Sequence, residues 1–585
     1  MYKEDPLSLP VKLWPGSNND LSNPAKTILY NRGIEDYKRY MNLTDDALYS
    51  PYLLKDIELA ADVFASSVDR NETISILVDC DVDGFTSAAI IYNYIKDMGF
   101  TGIIHTLFHT KKQHGLSDPE IKVPEDTELL IIPDAGSNDV EQCQRLHESG
   151  MEIIILDHHI IEQKNPDVIV VNSQDGSYPN KELSGAGVVW KFCQVVDDIQ
   201  WTEYANKYTD LAAVGNIADV MDMHSLETKR LAIKGLAQIV NPALKAYVDF
   251  NSYSIGSDEP TCIDIAFYVV PMMNALIRVG TQEQKQHLFA AMTYSKATYE
   301  YTPTRGKNKG VTTQEDEGAH SAREANSCKY RQNKDKESCL STMEDKISYY
   351  KWDDNKVLFA NGDGVVEKEL TGLVAANLAS MYNRPCVLLL HDSRDKTMFG
   401  GSMRNVHGGG VENLKALLES TGCFDFVQGH ENAAGVHIAK DKVPEAIAVT
   451  NKMLAGVDVK KFYIVDFVLD YDQLTLNLIR DIHAMHRVWC QGIEEPLFFI
   501  KNIQIPHNHC ATMGKTGSTW KYTDPDTYIE FVCFRGGPII DWVNESFYSN
   551  EIKTINAVCK LGMNQYGSRV TPQVIIEAYE VVKNG

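Results

Sequence analysis

Three aspartates at alternate positions directly after an apolar run constrain this chain more than any other feature. The stretch is Ile74 to Asp97, ISILVDCDVDGFTSAAIIYNYIKD. It opens on Ile74, Ile76, Leu77 and Val78, which predicts a strand. It then places Asp79, Asp81 and Asp83 before Gly84, and continues with Ala88, Ile91, Tyr92 and Ile95 at helical spacing. Three carboxylates crowded at a strand end repel one another unless a cation sits among them. Oxygen ligands suit a hard divalent ion such as Mg2+ or Mn2+. The same residues also spell the start of an EF-hand calcium loop, but that loop needs a bidentate Glu at its twelfth position. Ile90 stands there, and the segment before it is strand-like rather than helical.

Three later segments repeat the grammar of an apolar strand that ends in an acidic or imidazole residue. Leu129–Ile132 runs into Pro133-Asp134-Ala135-Gly136, and Glu152–Leu156 runs into Asp157-His158-His159. Leu211–Ala218 reads as a third such strand and runs into Asp219. In open parallel sheets, sites gather at the carboxyl ends of strands, so residues from four separated segments can share one crevice. A single buried Asp or His is usually structural. Four in this shared context point to a site.

Taken together, these motifs resemble the four of the DHH phosphoesterase superfamily. They are Asp79-x-Asp81-x-Asp83-Gly84, the Asp134 segment, Asp157-His158-His159 and Gly215-Asn216-Ile217-Ala218-Asp219. The chain is most similar to the RecJ branch, the single-strand-specific 5′ to 3′ exonucleases. Asn31-Arg32-Gly33-Ile34 resembles that branch's amino-terminal signature, and Leu183–Val188 resembles the segment after the DHH motif. Pro271–Arg278 resembles its P-x-x-N-A-x-x-R motif. Gly400–Arg404 and Gly429–Gly435 resemble the two motifs of the DHH-associated domain. The chain departs from the family pattern at Val78, Cys80, Leu276-Ile277 and Gln428-Gly429, none of them an expected metal ligand. These departures point to a divergent member, with a viral one among the possibilities.

The 585 residues suffice for three or four domains, and 44% hydrophobic with 23% charged residues is a globular composition. The resemblance and the patterning place an amino-terminal extension at 1–60 and a parallel-sheet α/β DHH domain at 61–300. An insertion and connecting helix follow at 301–349. A smaller α/β DHH-associated domain at 350–457 and an OB-like β-barrel at 458–585 complete the chain. Within 302–346 hydrophobic residues nearly vanish, so a long exposed helix from about Glu317 competes with a disordered linker. In the last segment Trp520, Tyr522, Tyr528, Phe531 and Phe534 are candidates for stacking on bases, with barrel core as the alternative.

No run of 18 apolar residues occurs, so no membrane span is expected, and the amino terminus lacks a signal-peptide apolar region. Twelve Cys residues without CxxC pairs read as reduced thiols of a cytoplasmic protein. A net charge of −24 argues against a chain that coats nucleic acid non-specifically, but divalent ions and a local basic groove can reverse the potential at a site.

The resemblance implies a pair of ions, Mn2+ or Mg2+, held by Asp79, Asp81, Asp83, Asp134, His158 and Asp219, with Asp134 as the bridge. It places Asp157 where it would orient His158 or a metal-bound water, and His159 facing the phosphate or a ligand. Arg278, Ser402, Arg404, Gly429 and His430 would hold substrate phosphates, in a groove between the two α/β domains that admits one strand. The implied activity is 5′ to 3′ exonucleolytic hydrolysis of single-stranded DNA to 5′-mononucleotides, in repair, recombination or replication. A monomer is expected, partnered by a single-stranded DNA-binding protein and a helicase. Two other functions remain open here. One is a phosphodiesterase acting on cyclic dinucleotides or short RNA, and the other is a non-catalytic single-strand-binding scaffold.

Overall fold

The computed structural model describes residues 9–582, apart from 111–112, 257–258, 307, 393–394, 407, 515–516, 535, 546–550 and 567–568. The chain forms two compact units. One holds Ile34–Tyr330 and His486–Glu494; the other holds Met1–Gly33, Arg331–Met485 and Glu495–Gly585. The expected extension at 1–60 is therefore shared between the units, with its first 33 residues in the second.

The first unit is built on five parallel strands: β1 (Ile74–Val78), β2 (Ile104–Phe108), β3 (Leu129–Pro133), β4 (Glu152–Asp157) and β5 (Ile169–Asn172). Their order across the sheet is β2-β1-β3-β4-β5. Every residue of β1 and β3 is buried, which explains their unbroken apolar runs: a parallel sheet is covered on both faces. The chain reverses its direction of winding between β1 and β3, and a crevice opens at the carboxyl ends of such a pair. Helix α1 (Val82–Asp97) follows β1, with Asp81 as its N-cap. Helix α2 (Gly185–Gln200) is capped by Ser184.

Leu211–Ala218 corrects the reading of a third apolar strand. It lies in helix α3 (Thr209–Ala218), buried on nearly all sides. A helix apolar all round carries the same continuous run as a buried strand, so periodicity could not separate them. Its small residues, Ala212, Ala213 and Gly215, allow close packing on α1 and α2. A Cβ on Gly185 would lie 2.5 Å from Asp134 Oδ1, and one on Gly215 would meet Asp83, so glycine there is what lets α2 and α3 approach the acidic cluster.

Further along this unit come α4 (Val270–Val279) and α5 (Gln282–Met292), then a hairpin of β6 (Thr298–Tyr301) and β7 (Thr313–Asp316). The helical run Cys262–Val279 has a mean hydropathy of 1.6 and is long and apolar enough to cross a membrane. Half of the segment is buried within the protein, as in a core helix. The polar stretch after the hairpin is helical: α6 runs over Glu317–Tyr350.

The second unit contains a five-stranded sheet in the order Phe424–His430, Ala433–Ala439, Met398–Arg404, Cys386–His391, Leu358–Asn361. Its last two strands are parallel and the others antiparallel. A seven-stranded sheet near the carboxyl terminus includes the short strands Cys510–Met513 and Thr519–Thr523. The short strand Val11–Leu13 pairs with Tyr463–Val465, and Arg32 makes a buried ion pair with Asp466 at 2.7 Å. All twelve cysteines are free, and eleven are buried.

Candidate active site

The site forms where β1, β3 and β4 end and where helices α1, α2 and α3 present their termini. Its acidic and imidazole groups fall into sets whose ligand atoms lie within 4.8 Å of one another. One set is Asp79, Asp81 and Asp134; a second is Asp83, His158 and Asp219; a third joins Asp134 to Asp157, His158 and His159. All six expected ligands are thus brought together, and Asp134 and His158 each belong to two sets. His158 Nε2 lies 3.2 Å from Asp134 Oδ1, 3.4 Å from Asp219 Oδ2 and 3.9 Å from Asp83 Oδ2.

Each side chain is fixed by a local cause. Asp81 Oδ1 accepts from Gly84 N at 3.0 Å, the N-cap bond that starts α1. Asp83 accepts from Ser184 Oγ at 2.9 Å, Gly185 N at 2.7 Å and Ala186 N at 3.1 Å, so the first turn of α2 anchors it. Asp134 sits at φ +65°, a left-handed conformation that costs a residue with a Cβ and is typical of functional turns.

The arrangement is electrostatically loaded. Burial, with the charge of Asp81, pushes the Asp83 carboxyl up to about 6 despite its donors. Burial, followed by the neighbouring Asp83 and Asp81 charges, raises Asp134 well above the usual range, and Asp219 rises for the same reasons. Asp134 Oδ1 is buried and accepts no hydrogen bond among the described residues. Crowded, buried carboxylates with one imidazole and an oxygen left without a donor fit a divalent cation of the Mg2+ or Mn2+ kind.

Two expectations change. Asp157 holds the His159 ring: its Oδ1 accepts from His159 Nδ1 at 2.8 Å and from the backbone amides of His158 and His159 at 2.7 and 3.2 Å. Burial opposes the charge on Asp157, but His159 outweighs it and holds the carboxyl low; in return Asp157 lifts His159 to about 9 against its own burial. His159 is half exposed, with its side chain at 52%.

The second change is a pair of histidines the sequence reading passed over. Asp79 receives His114 Nδ1 at 2.6 Å and Gly115 N at 3.1 Å, and His109 Nε2 stands 3.2 Å away. His109 is turned by Asp118 at 2.8 Å from its other nitrogen. Burial disfavours the Asp79 charge, but these imidazoles prevail and its carboxyl is lowered. The loop after β2 supplies them, and the only signal was three histidines in ten residues, His105, His109 and His114.

Of the expected phosphate-binding residues, Arg278 lies on α4, which packs against α1, and its Nε is buried without a hydrogen bond among the described residues. Ser402, Arg404, Gly429 and His430 lie in the second unit. Cross-strand pairing puts Arg404, Ala433 and His430 in one row of its sheet, and Ser402 two rows on, opposite Gly435. Ser402 Oγ is 3.0 Å from Thr371 Oγ1, and Arg404 Nη1 donates to Met403 O at 2.7 Å. Among the candidate stacking residues, Trp520, Tyr522 and Phe531 are core, at 0%, 3% and 0% exposure. Tyr528 and Phe534 stand open at 71% and 58%.

Residues 73–216 match the DHH family, N-terminal domain, and residues 465–578 match the RecJ OB domain. A protein of Bacillus subtilis provisionally named SPbeta prophage-derived single-strand DNA-specific exonuclease YorK is 33% identical over 574 residues, covering 97% of this chain and 98% of that one. The single-stranded-DNA-specific exonuclease RecJ of the same organism is 23% identical, over 94% of this chain and 67% of its own. The crystal structure of RecJ from Thermus thermophilus in complex with Mn2+ superposes with a TM-score of 0.69 at 18% identity, covering 97% of this chain and 77% of that one. The chain belongs to the RecJ family of DHH-domain proteins.

Proposed function

We propose that this chain is a metal-dependent exonuclease that hydrolyses single-stranded DNA from the 5′ end and releases 5′-mononucleotides. The observation that carries the reading is the convergence of Asp79, Asp81, Asp83, Asp134, His158 and Asp219 into two ligand sets joined through Asp134 and His158. Its support in substrate comes from relatives named single-strand DNA-specific exonucleases along nearly the whole chain. The Mn2+ and Mg2+ complexes of the Thermus thermophilus protein support the choice of metal.

In this reading those six residues hold two divalent ions. Bound there, such ions would supply activation of a water and neutralisation of charge on the phosphoryl oxygens. Asp134, Asp83 and Asp219, whose protons are held by burial and mutual repulsion, give them up as the site is loaded. Asp157 fixes the His159 ring and keeps it protonated, a half-exposed cation suited to a phosphate oxygen. Arg278, Ser402, Arg404, Gly429 and His430 bind flanking phosphates, the arginines as forked donors. Tyr528 and Phe534 offer open rings to bases. A site for one strand needs duplex opened first, which calls for a helicase and a single-stranded DNA-binding protein as partners. The free thiols accord with a reducing cytoplasm.

The test is digestion of 5′-labelled and 3′-labelled single strands in Mn2+ and in EDTA, beside a blunt duplex and an RNA of matching sequence. Metal-dependent mononucleotide release from the 5′ end of the DNA single strand is expected. Cleavage of no polymer, or release from the 3′ end, overturns the reading.

A further inference from the structure

Helix α5, the hairpin β6–β7 and the first turns of α6 enclose a second group of metal-ligating side chains that shares no residue with the aspartate site. His287 lies on α5. His320 and Glu324 lie four residues apart on α6, hence on one face. Glu324 reaches both rings: Oε2 is 3.0 Å from His287 Nδ1, and Oε1 is 3.7 Å from His320 Nε2. Gln284 Nε2 also approaches Oε1, at 3.3 Å. The imidazole centroids are 5.0 Å apart. The side chains of His287, His320 and Glu324 are 18%, 15% and 15% exposed, enclosed yet reachable from solvent.

The surrounding shell orients His320 as a ligand. Glu315 Oε1 lies 2.9 Å from His320 Nδ1, and Arg323 binds Glu315 while its Nη2 stands 3.0 Å from the same ring nitrogen. Glu315 and Arg323 thus hold the Nδ1 edge of the ring, and the Nε2 edge faces the Glu324 carboxylate. A carboxylate fixing one imidazole nitrogen so that the other is basic is the usual support of a metal-bound histidine. Tyr299 stacks on His320 at 3.9 Å and 16°, which sets the plane of the ring.

We propose that His287, His320 and Glu324 bind a first-row transition-metal ion of the Zn2+ type, with water completing its coordination. Ligands at about 2.1 Å around a tetrahedral ion are about 3.4 Å from one another. The observed distances, 3.0 Å from His287 Nδ1 to Oε2 and 3.7 Å from His320 Nε2 to Oε1, are of that order, with one carboxylate oxygen facing each ring. Two imidazoles with one carboxylate favour Zn2+ or Co2+ over Mg2+, which prefers oxygen, so the two sites differ in metal preference. The ion fastens the hairpin and the root of α6 to α5. It therefore contributes to stability rather than to the hydrolytic step.

The experiment uses full-length protein stripped with EDTA and then held in saturating Mg2+, with Co2+ as the added metal. Bound Co2+ is counted by equilibrium dialysis and read by its visible absorption. It is run on the wild type and on His287→Ala, His320→Ala and Glu324→Gln, each also combined with Asp81→Ala and His158→Ala to empty the aspartate site. One Co2+ per chain that persists in the Asp81→Ala/His158→Ala background, and that each of the three further substitutions removes, is expected. Zn2+ should raise the melting temperature of that background and not of the further variants. Glu324→Gln keeps the shape of the cluster, so its loss of Co2+ with an unchanged circular dichroism spectrum separates ligation from folding. Equal Co2+ stoichiometry with and without the three substitutions, or no Co2+ bound in the Asp81→Ala/His158→Ala background, overturns the proposal.

Discussion

Asp134 and His158 meet across neighbouring strand ends, with Oδ1 and Nε2 3.2 Å apart. Asp134 leaves β3 in a left-handed turn and His158 follows directly on β4, so the sheet alone sets their approach. Because the Asp134 carboxyl is buried among other carboxylates, it is costly to the metal-free protein. Asp134→Asn is expected to raise the melting point in EDTA by about 2–4 °C, the shift that roughly 1 kcal/mol produces in a domain of this size. The same variant should lose hydrolysis and any melting-point gain from Mn2+. Calorimetry with and without Mn2+ checks it; a variant that still gains stability from Mn2+ as the wild type does would remove Asp134 from the ligand set.

Asp83 gives the site a pH signature. Its folded carboxyl sits at about 6, above the ordinary value of 3.8. Between those values the folded chain keeps a proton that the unfolded chain releases, so its stability contribution falls as pH rises through the window from 3.8 to about 6. Other carboxylates, such as Asp79 and Asp157, are lowered and act in the opposite sense, so the comparison must be with Asp83→Asn. In EDTA, the stability of wild type minus that of Asp83→Asn should decline from pH 4 to pH 6. Denaturant melts at both pH values check it, and a flat difference would contradict the burial argument.

How much was legible depended on what each residue's role leaves in the sequence. Asp79, Asp81 and Asp83 alternate behind an apolar strand, a pattern that survives without any tertiary information. Asp157-His158-His159 is equally plain as a string, yet the partner of Asp157 was not, because adjacent histidines differ only in how the turn throws their rings. His109 and His114 act through loop geometry that has no period. Leu211–Ala218 misled because full burial erases the difference between a strand and a helix. Trp520, Tyr522 and Phe531 face the core while Tyr528 and Phe534 do not; which side of a sheet is covered is decided by distant strands.

Those aromatics separate in a binding assay. Trp520→Ala or Phe531→Ala should cost about 3–5 kcal/mol of stability, as emptying a packed aromatic site does. Tyr528→Ala and Phe534→Ala should leave the melting point within error and weaken single-strand binding by about 1–3 kcal/mol per lost stacking partner. Fluorescence anisotropy with a labelled oligonucleotide, beside thermal melts, distinguishes the two pairs. Unchanged affinity in the Tyr528→Ala/Phe534→Ala double variant would leave that domain without an open stacking surface.

The amino-terminal signature acquires a structural meaning through Arg32 and Asp466. Their side chains are 2% and 1% exposed, and Asn31 Nδ2 adds a bond to Asp466 Oδ1 at 2.9 Å. Arg32 makes a second bond to Asp466 at 3.1 Å and donates to Ile28 O at 3.0 Å, so both terminal nitrogens of the guanidinium are engaged. A buried pair of this kind is expensive to break one-sidedly, because the remaining charge has no water to turn to. Asp466→Ala should therefore destabilise the second unit by about 3–5 kcal/mol. Replacing both partners by apolar residues, Arg32→Met with Asp466→Leu, should recover most of that loss. The aspartate site lies in the other unit, so metal binding per folded chain should stay at the wild-type value in every variant. Urea melts with metal titration on the same samples check all three statements. Equal destabilisation by the single and the double change would show that the pair's geometry, rather than its uncompensated charge, carries the effect.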